Sequence, residues 1–241
     1  MGMISKALQR AYSEKKTSFD LLLDISEEYQ ELKSSILISE KTIKTLMISS
    51  STRKEGTSTV GVDLAINLAR DSNLKILLID GNLRHPVLHD IFDLEKDNGL
   101  CELSLVSSSF RGSSQFSLSE IRVEAAIKKT PIPNLAVITS GKDYSDISQV
   151  FESKGLEVWI KMLKASFDYI LFDSAPINLY PDSLFLAAQV DGVIFVVQAE
   201  KTRREVTKKA KERLEKVKAN IIGVVLNKKR YHIPQAVYRR L

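Results

Sequence analysis

Six short runs of β-branched and aliphatic residues recur along this chain: Thr45 to Ser49, Lys75 to Asp80, Leu135 to Thr139, Tyr169 to Asp173, Gly192 to Gln198 and Ile221 to Asn227. They are nearly continuous in Ile, Leu and Val rather than alternating, which is how strands covered on both faces read. Such strands need helices above and below, and the segments Val60 to Arg70, Gly155 to Ala165 and Arg203 to Lys218 have helical spacing. Repeated strand–helix–strand units therefore predict an α/β fold, a doubly wound and mostly parallel sheet flanked by helices. Ligands in that architecture bind beyond the carboxyl ends of the strands.

With 241 residues, 44% of them hydrophobic, the chain can bury one full core or at most two small ones. The expected organisation is an N-terminal helical arm over 1–40, with helical stretches at Ile4 to Ser13 and Ser26 to Ile38, a core domain over 41–230, and a basic tail over 231–241. Ser107 to Ser119 reads as a surface loop ahead of a helix over Leu118 to Lys128. A single cysteine, Cys101, forms no internal disulfide and fits a reducing compartment. No apolar run approaches the ~18 to 20 residues of a membrane-spanning helix, and Met1 to Lys6 carries no signal-peptide apolar region. The expectation is a cytoplasmic protein. Lys and Arg number 35 against 30 Asp and Glu, a net charge of +5, which suits nucleotide phosphates, an acidic partner or an anionic membrane face. His85, His89 and His232 are isolated from one another and from the cysteine, so no zinc site is expected.

Behind the first strand comes Ser49-Ser50-Ser51-Thr52-Arg53-Lys54-Glu55-Gly56-Thr57-Ser58-Thr59, and a helical pattern opens directly after it. Strand, turn and helix start is the context of a P-loop, where backbone N–H groups and the helix dipole converge on a phosphate. Against the pattern G-x-x-x-x-G-K-[ST], Gly56 and Ser58 match, Ser51 replaces the first glycine, and Thr57 replaces the lysine. Thr57 offers a hydroxyl without charge; Arg53 and Lys54 are the cations nearest in sequence to take over. The plainer alternative is a polar strand-to-helix turn capped by Ser58.

Two strand ends favour the nucleotide reading. Ile76 to Ile79 ends on Asp80, followed by Gly81-Asn82-Leu83-Arg84, and Tyr169 to Phe172 ends on Asp173, followed by Ser174-Ala175-Pro176. A carboxylate closing an apolar strand is costly unless it faces the ligand edge, where it can hold Mg²⁺. Ser58, Asp80 and Asp173 are thus the candidate metal residues.

On these motifs the chain resembles the bacterial tyrosine kinases (BY-kinases) of capsule and exopolysaccharide loci, a branch of the MinD/ParA-like P-loop proteins. The segment Leu77 to His89 is similar to the family's second Walker-type motif, D-x-D-x-R followed by Pro: Asp80 and Arg84 match, while Asn82 stands at the second aspartate. Asp173 falls on the Walker B aspartate, Asp182 on a common family aspartate, and Asn227 on the position near the nucleotide base. The resemblance implies ATP and Mg²⁺ as cofactors. Arg53 to Thr59 would line the phosphates, Asp80, Asn82, Arg84 and Asp173 would form the catalytic set, and Asp80 would orient a tyrosine hydroxyl. It further implies a membrane polysaccharide co-polymerase as partner, a location at the inner face of the cell membrane, and no nucleic-acid partner.

Glu27, Gln30 and Lys33 fall on the spacing of the family's E-x-x-R-x-x-R self-association motif, with both arginines replaced; a solvated helix face is the alternative. The tail offers Tyr231 and Tyr238 as phosphosite candidates, where the alternative is apolar packing of Tyr238 with Val237 and Leu241. Three functions follow: a tyrosine kinase of polysaccharide assembly; a scaffold without catalysis, suggested by Ser51, Thr57 and Asn82; and a MinD/ParA-type positioning ATPase, a group whose additional loop lysine is replaced here by Thr52.

Overall fold

The computed structural model describes residues 34, 36, 43–70, 74–107, 123–142, 147–152 and 154–229. Its strands are β1 (Thr45–Ser50), β2 (Ile76–Gly81), β3 (Lys128–Lys129), β4 (Leu135–Ile138), β5 (Tyr169–Ser174), β6 (Gly192–Gln198) and β7 (Ile221–Asn227). They form one sheet in the order β3-β4-β2-β5-β1-β6-β7. All pairings are parallel except β3 with β4. The helices are α1 (Thr57–Ala69), α2 (Leu88–Phe92), α3 (Leu100–Ser107), α4 (Ile147–Glu152), α5 (Lys154–Ser166), α6 (Asp182–Ala187) and α7 (Arg204–Lys216). Among the described residues no helix is long and apolar enough to cross a membrane.

The apolar runs are continuous because each strand feeds two cores. Met47, Leu77, Ile79, Ile170, Phe172, Val193 and Phe195 join one buried layer with Trp159 and Ile160 of α5 and Leu214 of α7. Their neighbours Leu46, Ile48, Ile76, Leu78, Leu171, Ile194 and Val196 join the other with Val60, Leu64 and Leu68 of α1. Side chains alternate between the faces with period two, so only a strand covered twice is apolar at every position. Truncating Phe172, fully buried at the sheet centre, would cost about 3–5 kcal/mol.

Two expectations change. The helix expected to reach Lys128 stops at Ala126, and Lys128–Lys129 instead pair antiparallel with Val137 and Ala136. Thr130 precedes Pro131, which disfavours helical backbone there, and the Lys128 ammonium donates to the Asp97 carbonyl and to Thr139 Oγ1. β7 was expected to be covered on both faces, yet Val224 and Leu226 are 63% and 57% exposed. It is one of the two edge strands, the other being β3, and among the described residues it pairs with β6 alone.

Candidate functional site

β1 delivers the chain into the turn at 51–56, where Gly56 has φ +99°. A Cβ at that position would lie 2.0 Å from Asn227 Nδ2, so both the left-handed backbone and the close approach demand glycine. No side chain caps the start of α1, so the Ser58 cap is not formed. The first intrahelical bond runs from the Val60 N–H to the Gly56 carbonyl at 3.0 Å. The N–H groups of Thr57, Ser58 and Thr59 therefore precede any intrahelical acceptor and share the positive end of the helix dipole, a ready site for an anion.

The loop is braced from within. Thr57 Oγ1 donates to Ser50 Oγ at 2.9 Å, and Ser50 Oγ donates to the Thr52 carbonyl at 2.9 Å. The position of a P-loop lysine thus holds an uncharged, inward-turned side chain. Glu55 also turns inward and is 2% exposed. Its Oε2 accepts the N–H groups of Ser51 and Thr52 at 2.7 and 3.1 Å, and its Oε1 accepts the Thr202 hydroxyl. Asn227 Nδ2 donates to the Glu55 carbonyl at 2.9 Å, and the Lys228 ammonium donates to the Lys54 carbonyl. The end of β7 and the turn before α7 hold the loop on that side. On the other side, the Arg53 guanidinium bonds to the Tyr180 hydroxyl and lies 5.6 Å from the centre of its ring.

Asp80 and Asp173 are register partners on β2 and β5, strands spaced about 4.8 Å apart, and neither is exposed. Asp80 Oδ2 accepts the N–H groups of Val87 and Leu88 at 3.0 and 2.9 Å, while Oδ1 has no hydrogen-bond partner. Both oxygens of Asp173 and Oδ1 of Asn82 also have none. Burial pushes both carboxyls up. Asp80 rises to about 7, against the pull of the Leu88, Val87 and Asn82 amides and of Lys96. Asp173 rises to about 8, with repulsion from Asp80 adding to burial; the nearby Ser58 hydroxyl and Ser174 amide oppose this without satisfying hydrogen-bond geometry. Neighbouring buried carboxylates resist ionising together unless a cation joins them.

Four buried and unpartnered oxygens beside a helix start fit a small hard cation, so the donor set suits Mg²⁺. Among the described residues no three His, Cys, Asp or Glu side chains form a metal cluster. The set is therefore of the kind that holds Mg²⁺ through one or two carboxylates and completes its shell with phosphate oxygens.

Arg84 follows β2, and its Nε and Nη2 both reach Asp182 Oδ2 at 2.9 Å. The same guanidinium lies 4.6 Å from the centre of the Tyr180 ring. Asp80, Asn82, Arg84, Asp173 and Asp182 thus gather at the carboxyl ends of β2 and β5, and Arg53 to Thr59 at the end of β1. Asn227 sits against the loop with its amide already engaged, since its Oδ1 accepts the Lys228 N–H at 2.8 Å. Tyr180, Thr202 and Ser50 are additions that the sequence reading missed. Tyr180 stood two residues before Asp182, but only the fold puts two arginines on it. Glu27, Gln30, Lys33, Tyr231 and Tyr238 lie outside the described residues.

A strand–turn–helix anion site beside buried strand-end carboxylates defines a protein of the P-loop class. The AAA domain family matches residues 43–227. Tyrosine-protein kinase YwqD of Bacillus subtilis is 32% identical over 211 residues, covering 85% of this chain and 81% of that protein. Tyrosine-protein kinase CpsD of Streptococcus pneumoniae is 30% identical over 217 residues, covering 90% and 88%. Among solved structures, the chimerical protein CapA2B2 matches with a TM-score of 0.76 at 26% identity, over 94% of this chain and 91% of that one. The fold is shared with the septum site-determining protein MinD from Pyrococcus horikoshii, complexed with Mg-ADP, at a TM-score of 0.59 and 23% identity over 81% and 76%. The chain belongs to the bacterial tyrosine kinase (BY-kinase) family, on a MinD-like P-loop fold.

Proposed function

We propose that this protein binds Mg·ATP at the strand ends and transfers its γ-phosphoryl group to tyrosine, working at the inner membrane face with a polysaccharide co-polymerase in capsule or exopolysaccharide production. The observation that carries the nucleotide reading is the set of unpartnered buried oxygens on Asp80, Asn82 and Asp173 beside the free helix start. The backbone from Gly56 to Thr59 cradles the phosphates, and Ser58, Asp80 and Asp173 hold Mg²⁺. When bound, the metal neutralises charge on the β- and γ-oxygens. Two backbone amides fix Asp80 through Oδ2, and its unpartnered Oδ1, beside the Mg²⁺ site, supports a role in orienting the tyrosine hydroxyl and taking its proton. The tyrosine oxygen then bonds to the γ-phosphorus as the bond to ADP breaks. Arg203, Arg204, Lys208, Lys209, Lys211 and Lys216 are exposed on and beside α7, interleaved with Glu205, Glu212 and Glu215 and ion-paired at Lys208–Glu212 and Lys211–Glu215, and the excess of cations on this mixed surface suits an anionic membrane surface or an acidic partner tail. Phosphotyrosine should form on the full chain with Mg·ATP and be lost in Asp80→Asn.

The inward-turned Thr57 favours a second reading, a nucleotide-responsive scaffold without catalysis. Calorimetric binding of Mg·ATP and Mg·ADP with no phosphotyrosine, even with the co-polymerase tail present, would select it.

A further inference from the structure

The nucleotide reading leaves one charge unassigned. The side chain at position 57 is bonded to Ser50, so no lysine there meets the γ-phosphoryl oxygens, which in P-loop sites a cation approaches. The cations around the loop divide by side. Lys228 lies toward β7 and is bonded to the Lys54 carbonyl. Arg84 is matched by the buried Asp182.

Arg53 leaves the loop toward the opposite side. Its guanidinium reaches Tyr180, in the turn that follows β5 and is bonded to the loop's own strand: the Ile177 N–H to the Ser50 carbonyl at 2.9 Å, and the Asn178 N–H to the Ser51 carbonyl at 3.3 Å. β5 is the strand that carries Asp173. A Mg²⁺ held by Asp80 and Asp173 would draw the γ end of the nucleotide toward the ends of β2 and β5, and Arg53 leaves the loop toward Tyr180, in the turn that follows β5. Among the described residues Arg53 forms no ion pair with a carboxylate, so its charge is not cancelled. Tyr180 carries Arg84 over its ring at 4.6 Å, which fixes the platform on which Arg53 rests.

We propose that Arg53 is the cation that contacts the γ-phosphoryl oxygens in place of the missing lysine, with Tyr180 as its positioning residue. The assignment rests on the Mg·nucleotide site proposed above. A guanidinium suits this task because its planar fork matches phosphate oxygens.

The test is calorimetry of Mg·ATP and Mg·ADP on the full chain, comparing wild type, Arg53→Gln, and Arg53→Gln combined with Thr57→Lys. Arg53→Gln should weaken ATP by about tenfold to a hundredfold, the span of one charge-assisted hydrogen bond, and leave ADP within about twofold; retained ADP binding also reports an intact fold. Adding Thr57→Lys should restore ATP affinity. Tyr180→Phe should give a smaller loss, again confined to ATP. Wild-type binding with an ATP-to-ADP ratio unmoved by Arg53→Gln, or an equal loss for both nucleotides, would overturn the assignment alone. Absence of binding to wild type would overturn the nucleotide site together with it.

Discussion

Asp191, at the amino end of β6, and Asp173, near the carboxyl end of β5, share one sheet and meet opposite surroundings. Asp191 accepts the N–H groups of Lys44 and Thr45 at 3.0 and 2.8 Å, the Thr45 hydroxyl at 2.8 Å and the Lys164 ammonium at 2.9 Å. Burial opposes its charge, but Lys164 and the Thr45 and Lys44 donors outweigh burial and hold the carboxyl below its ordinary range. Asp173 is fully buried, has no hydrogen-bond partner and is pushed up. At the amino edge the fold supplies every donor and uses the charge to pin β1, α5 and β6 together. At the carboxyl edge it leaves the charge incomplete, which is tolerable only when a proton or a cation completes it. One aspartate serves the fold, and the other is buried without a hydrogen-bond partner, as the proposed metal site requires.

The sharpest way to break that comparison is to neutralise each aspartate. Asp173→Asn should lower Mg·ATP affinity roughly 100-fold or more by calorimetry, through loss of a metal carboxylate. Asp191→Ala should leave that affinity within about twofold and cost about 2 kcal/mol in urea unfolding, a figure reduced for the solvent that reaches the Lys164 pair. The sign of the pH dependence also differs. Asp191 is depressed in the folded state, so its contribution is present above the unfolded carboxylate range and is lost as pH falls through its folded value. Asp80 and Asp173 are raised to about 7 and about 8, so between about pH 4 and pH 8 the folded protein holds protons that the unfolded chain has released. In the absence of Mg²⁺, stability should fall as pH rises across that window and level off above it. Thermal unfolding in EDTA checks this, and Asp173→Asn should remove much of the slope. The smallest effect belongs to the loop brace: Glu55→Gln keeps an acceptor for the Ser51 and Thr52 amides but removes the charge, and should weaken ADP about fivefold in the same calorimetric assay.

Much of this contrast is legible in the sequence. The β2 and β5 runs are apolar until they end on Asp80 and Asp173, and a carboxylate there is expensive enough to stand out. The departure at Thr57 is equally visible, because the pattern fixes what a lysine there would do. Other features depend on distances that only folding brings to zero. Thr202 reaches Glu55 across 147 positions, and Arg53 reaches Tyr180 across 127; neither pair has a local signature. Glu55 read as a ligand-facing loop residue, yet its carboxylate is consumed by the amides of Ser51 and Thr52. The exposure of Val224 and Leu226 was hidden for a related reason: an apolar run reports strand character, and whether the strand lies at an edge depends on sheet order.

Thermal unfolding of wild type and Asp173→Asn at about pH 8.5, in EDTA and then with Mg·ADP, tests most directly whether the carboxyl edge is built for a ligand. In EDTA the variant should unfold at the same temperature as wild type or higher, because a costly buried charge has been removed. With Mg·ADP at about 100 times its dissociation constant, wild type should gain about 2.7 kcal/mol, a rise of roughly 5–10 °C, and the variant should gain little. A variant several degrees less stable in EDTA, beside a wild type that ignores Mg·ADP, would mean that Asp173 serves the fold as Asp191 does.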